Sequence, residues 1–370
     1  MNVKILVAYH KFDEIIKDSV YTPIYLGKKL KDIVTKDGRI SNNEFKKLNK
    51  LMLGDDTGDN ISIRNRNYNE MTAVYWAWKN YEELGNPEYI GLVHYRRQFI
   101  LKDTKIENEE WLKNSNVYQF EFLDNECREL INSKYLEKIL QKYDGVTSCL
   151  YDLRNLNNTY ASCRDRFIEM VHLSGDIYDI AMKYIYDNLL DYREDLIKFQ
   201  SEPKNYLCNM FIFKKEDFFE YSEFVFSVLN EILAHKELYI DGDNIQMRAP
   251  GFICEWLTTI YIYHAQRKHH RIFRESKLTF IKDTIPNQEI RKRKRNETKY
   301  ALFYLICLSL CICTFGKIKL RGRRARYKEN IRQCFFSANR KRHSSVSRFV
   351  YRGLNFISRI GSKIERIFTV

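Results

Sequence analysis

The nine cysteines show no paired CxxC spacing, and Cys307, Cys311 and Cys313 stand inside an apolar run where a disulfide framework has no role. A reducing compartment is the expectation. No small-residue cleavage site follows the short apolar stretch Ile5–Tyr9, beside Lys4, so Met1–Phe12 reads as the start of a buried strand rather than a signal peptide. The uncharged run Tyr300–Phe315 is sixteen residues, about 24 Å as a helix, short of the roughly 30 Å hydrocarbon core of a bilayer.

What the chain has in excess is positive charge, +14 over 370 residues, but that charge is not spread evenly. Residues 291–370 hold 22 Lys/Arg against Glu297, Glu329 and Glu365, whereas residues 1–290 carry 40 basic and 45 acidic side chains. The body is mildly acidic, which argues against a polyanion-binding globular domain, and no nucleic-acid partner is expected. With 44% hydrophobic and 14% aromatic residues the chain has enough apolar surface for one large core or two modest ones.

Val3–Tyr9, Tyr89–His94, Gly145–Leu150 and Met210–Phe213 are short apolar runs bounded by polar residues or Gly, the pattern of strands covered on both faces. Helical spacing lies between them. Met71, Tyr75, Trp78 and Tyr81 recur at three- and four-residue intervals, as do Phe219, Phe224, Val228 and Ile232, and residues 160–190 form another helical stretch. Alternating strands and helices predict a three-layer α/β domain over residues 1–286.

After Pro286 the composition changes. Residues 287–370 form a basic tail in which Arg291–Arg295 and Lys317–Lys328 bracket the apolar run 300–315. That run reads as a short span, an in-plane or re-entrant membrane helix, or a core helix; the dense basic flanks favour the membrane. Within 348–368, Val350, Leu354, Ile357, Ile360, Ile364 and Ile367 form a stripe between Arg352, Arg359, Lys363 and Arg366, as in a helix lying on anionic lipid.

Three polar segments carry chemistry. Asp55–Glu70 (DDTGDNISIRNRNYNE) precedes an aromatic helix and suits a binding loop, although Asn67 with Glu70 also fits a capping box and the aspartates also suit a turn. His94, Tyr95, Arg96 and Arg97 follow a strand, where ligands meet open α/β sheets, and two guanidiniums there suit a diphosphate. In Asp241–Glu255 (DGDNIQMRAPGFICE), Asp241 and Asp243 form a weak candidate pair for Mg²⁺ or Mn²⁺, Arg248 suits phosphate, and Glu255 suits a general base. His264, His269 and His270 lack a metal-ligand partner set and read as surface residues.

Taken together, Tyr21–Gly27, Gly54–Ser62, Asn67–Asn80, Ile90–Phe99, Asn209–Lys214 and Arg248–Leu257 resemble the domain of unknown function 4422 family, glycosyltransferase-like proteins of capsular and exopolysaccharide biosynthesis. The resemblance spans roughly residues 3–265 and omits the basic tail. It implies a GT-A-like, Rossmann-related nucleotide-sugar fold whose first strand leads into the nucleotide pocket, and it makes galactose-type donors the expectation. On that basis a UDP-sugar would lie against Tyr9, His10, Asp55, Asp59, Asn60, Asn67, Glu70, His94, Arg96, Arg97 and Arg248, with Glu255 as catalytic base. Where the resemblance implies a metal-binding D-x-D, this chain has His94-Tyr95-Arg96-Arg97, so Arg96, Arg97 and Arg248 are candidates to replace the ion, and both a metal-free and a Mn²⁺- or Mg²⁺-dependent enzyme stay open. The expected partners are a nucleotide-sugar donor, a lipid-linked glycan acceptor and an anionic membrane surface, at the cytoplasmic face of the inner membrane. Two other readings stay open: a non-catalytic scaffold of polysaccharide assembly, and a polyanion binder acting through the tail.

Overall fold

In the computed structural model, residues 1–32, 41–106, 116–155 and 160–283 are described. The basic tail, with its apolar run 300–315 and amphipathic stretch 348–368, lies outside the described residues. The strands, in chain order, are β1 (Val3–Tyr9), β2 (Tyr21–Tyr25), β3 (Leu53–Gly54), β4 (Tyr89–His94), β5 (Val117–Phe122), β6 (Gly145–Ser148), β7 (Leu150–Asp152), β8 (Lys204–Tyr206), β9 (Phe211–Lys214), β10 (Phe273–Ser276) and β11 (Leu278–Asp283). Seven of them form one sheet in the order β10-β6-β9-β4-β1-β2-β3, while β11 pairs with β5 and β7 with β8. Within the large sheet only β9 runs antiparallel to its neighbours.

Period-two alternation explains why these strands are apolar throughout. Leu6 and Ala8 of β1, Ile90 and Leu92 of β4, and Phe211 and Phe213 of β9 enter one core. Ile5, Val7 and Tyr9, then Tyr89 and Val93, and then Ile212 enter the other. Each strand is therefore buried on both faces, as in a three-layer α/β sandwich. The first core packs the sheet against helices Met71–Lys79, Cys163–Val171, Asp176–Asn188, Lys215–Ala234 and Ala249–Lys268. Gly91 in β4 is a forced choice, since a Cβ there would stand 2.8 Å from the Phe211 carbonyl oxygen of the antiparallel neighbour.

Several boundaries differ from the sequence-based expectation. The stretch 160–190 breaks into two helices because His172 adopts a left-handed conformation (φ 55°), with Gly175 capping the second. His264 is not at the surface: it is fully buried, stacked on Tyr192 at 3.8 Å between ring centres. Among the described residues no helix is long and apolar enough to cross a membrane.

The topology gathers one edge of the sheet. Parallel β1, β2, β4 and β6 end there, and antiparallel β9 begins there, with Leu92 opposite Phe211. This change of strand direction brings the residues after β4 and those before β9 together.

Candidate functional site

Beyond β4 the chain reverses within four residues, the His94 and Arg97 backbones exchanging hydrogen bonds of 3.0 and 2.9 Å. Gln98, fully buried, donates its amide to the His94 carbonyl at 2.6 Å and stiffens the turn. Facing it, Cys208 and Asn209 both take positive φ, 77° and 46°. Such conformations cost non-glycine residues about 1–3 kcal/mol each and concentrate where geometry serves function.

The strained pair joins three segments. The His94 ring Nε2 lies 2.9 Å from the Cys208 carbonyl oxygen. A carbonyl only accepts, so Nε2 carries the hydrogen. The Cys208 N–H favours the charged form of the Glu255 carboxyl. Asn209 donates its amide to Glu70 Oε1 at 2.8 Å and to the Gly251 carbonyl at 3.1 Å. Arg248 donates Nε to Asn69 Oδ1 at 2.7 Å and stacks on Phe252 at 4.8 Å, while Asn69 is itself held at φ 50°. Asn67 donates to the Met247 carbonyl at 2.8 Å, tying the same loop to the start of helix Ala249–Lys268. Gly251 permits this approach, because a Cβ there would lie 2.1 Å from Asn69 Nδ2.

The groups of this cluster act on one another's protonation. Burial raises the Glu255 carboxyl above its usual range, opposed by Arg166, by the Cys208 N–H and by Arg97, and reinforced by Glu70. Burial lowers the His94 imidazole, with Glu70 opposing and Arg97 and Arg248 assisting. Burial also pushes the Cys208 thiol up to about 12, so it stays protonated at neutral pH. The cluster is thus a raised carboxyl, a neutral imidazole and several guanidiniums around a rigid backbone turn.

Of the residues singled out in the sequence, Glu70, His94, Arg97, Arg248 and Glu255 meet here. Arg96 turns away toward Asp13 Oδ2, at 3.7 Å, and lies 5.3 Å from the Tyr95 ring centre. Tyr9 is fully buried, stacked on Tyr95 at 5.2 Å, its hydroxyl bonded to the Glu14 carbonyl and the Ile16 N–H. His10, exposed, meets Tyr95 edge-on at 5.4 Å. Asp55 is fully buried and accepts four hydrogen bonds, from Gly27 N–H, Lys28 N–H, Ser62 Oγ and Thr72 Oγ1, at 2.7, 3.1, 2.6 and 2.7 Å. Its carboxylate braces the loop rather than opening onto it. Asn60 closes the same loop on the Asp56 and Gly58 carbonyls, and exposed Asp59 accepts from Tyr75.

Asp243 Oδ1 accepts from the Ile245 and Gln246 N–H groups at 2.7 and 2.9 Å, which makes Asp241-Gly242-Asp243 an exposed capping turn. A D-x-D metal site does not fit these residues. At the end of β4 the side chains are one imidazole and two guanidiniums, with no pair of carboxylates in sequence there.

Cys208, Asn209, Asn69 and Arg166 were not identified as site residues from sequence. Asn209, which is 2% exposed, has an amide oxygen without a hydrogen-bond partner among the described residues. A separate cavity of about 390 Å³, lined in part by Arg64, Tyr75, Trp78, Glu223 and Phe226, contains none of the cluster. Trp78 there already has Phe226 stacked on one side, at 5.7 Å, and the Lys79 ammonium at 3.4 Å, so its ring is not open to a sugar.

The profile of the family described as Domain of unknown function (DUF4422) matches residues 4–267. Among solved structures, the apo form of the bifunctional glycosyltransferase WbbM superposes with a TM-score of 0.64 at 24% identity, covering 76% of this chain and 46% of that one. The chain thus spans less than half of that protein, and the likeness concerns the fold. No curated protein matches.

Proposed function

The chain belongs to the DUF4422 family, and from that premise we propose that it is a glycosyltransferase of GT-A-like architecture that moves a sugar from a nucleotide-sugar donor, of the UDP class, to an acceptor hydroxyl. The observation that carries the reading is the meeting of Arg97, Glu70, His94 and Glu255 at the edge where the strand direction changes. The fold shared with a glycosyltransferase supports it at a coarser level.

Each role follows from local chemistry. Arg97, with Arg248, offsets the charge that builds on the departing diphosphate, which a preorganised cation does best in a site shielded from water. Glu255, its carboxyl raised by burial, is suited to take the proton from the acceptor hydroxyl, because a base works best when its affinity for protons approaches the working pH. Glu70 and Asn209 offer acceptors to sugar hydroxyls, and their mutual bond holds both in place. Asp55 acts at one remove, keeping the loop from Asp56 to Asn67 in shape.

The acceptor is a lipid-linked glycan of bacterial surface polysaccharide synthesis, and the basic tail holds the enzyme to the anionic inner leaflet beside it. A panel of nucleotide sugars, assayed for donor hydrolysis and for transfer with and without Mn²⁺, tests the proposal. Saturable binding and turnover of a UDP-sugar without a divalent ion is the expected result. Absence of any nucleotide-sugar binding would leave a non-catalytic scaffold instead.

A further inference from the structure

At the far end of helix Ala249–Lys268 from Glu255, a second polar cluster lies outside the transfer site. The two are nine residues apart on one helix, about 14 Å. Glu220 of helix Lys215–Ala234 projects one carboxylate oxygen to 2.9 Å from His269 Nε2 and the other to 3.6 Å from His264 Nε2. One ligand atom from each of these three residues lies within 4.8 Å of the other two.

His264 gives the cluster its direction. It is fully buried, and its Nε2 has no hydrogen-bond partner. Its Nδ1 stands 2.9 Å from Asp195 Oδ2, and Arg267 donates to both oxygens of that carboxylate, at 2.9 and 2.8 Å. A carboxylate so held only accepts, which puts the ring hydrogen on Nδ1 and leaves the Nε2 lone pair facing Glu220 and His269. A hydrogen on Nε2 would face Glu220 across 3.6 Å as a long ion pair without a hydrogen bond, and an ion entering there displaces it. A carboxylate orienting a histidine whose other nitrogen faces two further ligands is the outer-shell arrangement of a metal site.

We propose that Glu220, His264 and His269 bind a divalent ion of the zinc class, with Asp195 orienting His264. Two imidazoles and one carboxylate suit Zn²⁺, a water completing the tetrahedron. Glu220 and His269 are about a third exposed, at 28% and 32%, so the ion has a path in. Lys268 approaches Glu220 at 3.8 Å but already pairs with Asp191 at 2.9 Å, where it remains when the ion enters. The ion fastens helix Lys215–Ala234 to the end of helix Ala249–Lys268 and, through Asp195, to helix Arg193–Ser201, supporting the scaffold on which Glu255 rides.

The test uses the full chain, stripped with a chelator and dialysed, then titrated with Zn²⁺ while thermal unfolding is followed, and separately with Co²⁺ while visible absorption is recorded. One equivalent should raise the unfolding temperature and give tetrahedral cobalt bands. Glu220→Gln and His269→Ala, both at partly exposed positions, should each weaken binding at least about tenfold. An unfolding temperature unmoved by Zn²⁺ would overturn the proposal. So would a shift retained in full by both variants, which would assign the ion to other ligands of the chain.

Discussion

Burial raises the Glu255 carboxyl while Arg166, the Cys208 N–H and Arg97 pull it down, and Glu70 adds to the rise. In the same cluster Arg97 and Arg248 help burial keep the His94 imidazole neutral. Since the net folded-state affinity for protons exceeds the unfolded one, the protonated carboxyl stabilises the fold at low pH, and that contribution is lost as pH climbs through its raised value. Glu255→Gln should therefore gain stability relative to the native chain as pH rises above the ordinary carboxylate range, in paired thermal melts from pH 4 to 8. Melts that keep a constant difference across that range would contradict the burial. The same substitution should lower kcat by about 10²–10⁴-fold with donor binding kept, a loss readable by steady-state kinetics. Part of this arrangement is legible in the sequence: Glu255, Arg97 and His94 stand out as polar groups at the ends of apolar runs. Cys208 and Asn209 do not, because what marks them is a left-handed backbone, which neither residue type announces.

At the scale of elements, buried Asp55 holds the loop after β3 through four hydrogen bonds. Asp55→Ala leaves four donors unpaired in the interior and should cost about 2–4 kcal/mol, measured as a lower denaturant midpoint. Gly251→Ala pushes against Asn69, the partner of Arg248, and should weaken nucleotide-sugar binding more than it weakens the fold, a distinction titration and melting resolve together. Strands β1 and β4 could be seen in advance because both faces are apolar. The polar strand β10 (Phe273–Ser276) could not, since only its pairing with distant β6 makes it a strand. The same holds for the Glu70–Asn209 bond, which joins residues 139 apart. The burial of His264 is hidden in the sequence for a related reason: Arg267 and Lys268 stand one turn away, and the groups that bury it, Tyr192 and Asp195, arrive from another part of the chain.

For the molecule as a whole, the acidic body and basic tail imply a division of labour. A chain ending at Pro286 should keep nucleotide-sugar binding but lose co-flotation with vesicles containing anionic lipid, whereas neutral vesicles should distinguish the two chains little. Loss of donor binding in the shortened chain would mean that the tail belongs to the site. The three-layer body itself was legible from alternating strands and helices. Its reversed strand β9 was not, yet that reversal is what carries Asn209 and Cys208 to the end of β4.

The most direct measurement of the central claim is the kcat of Arg97→Ala at saturating donor. The charge-offset account predicts a fall of about 10²–10³-fold with little change in donor affinity. An unchanged kcat, or a defect confined to KM, would contradict it.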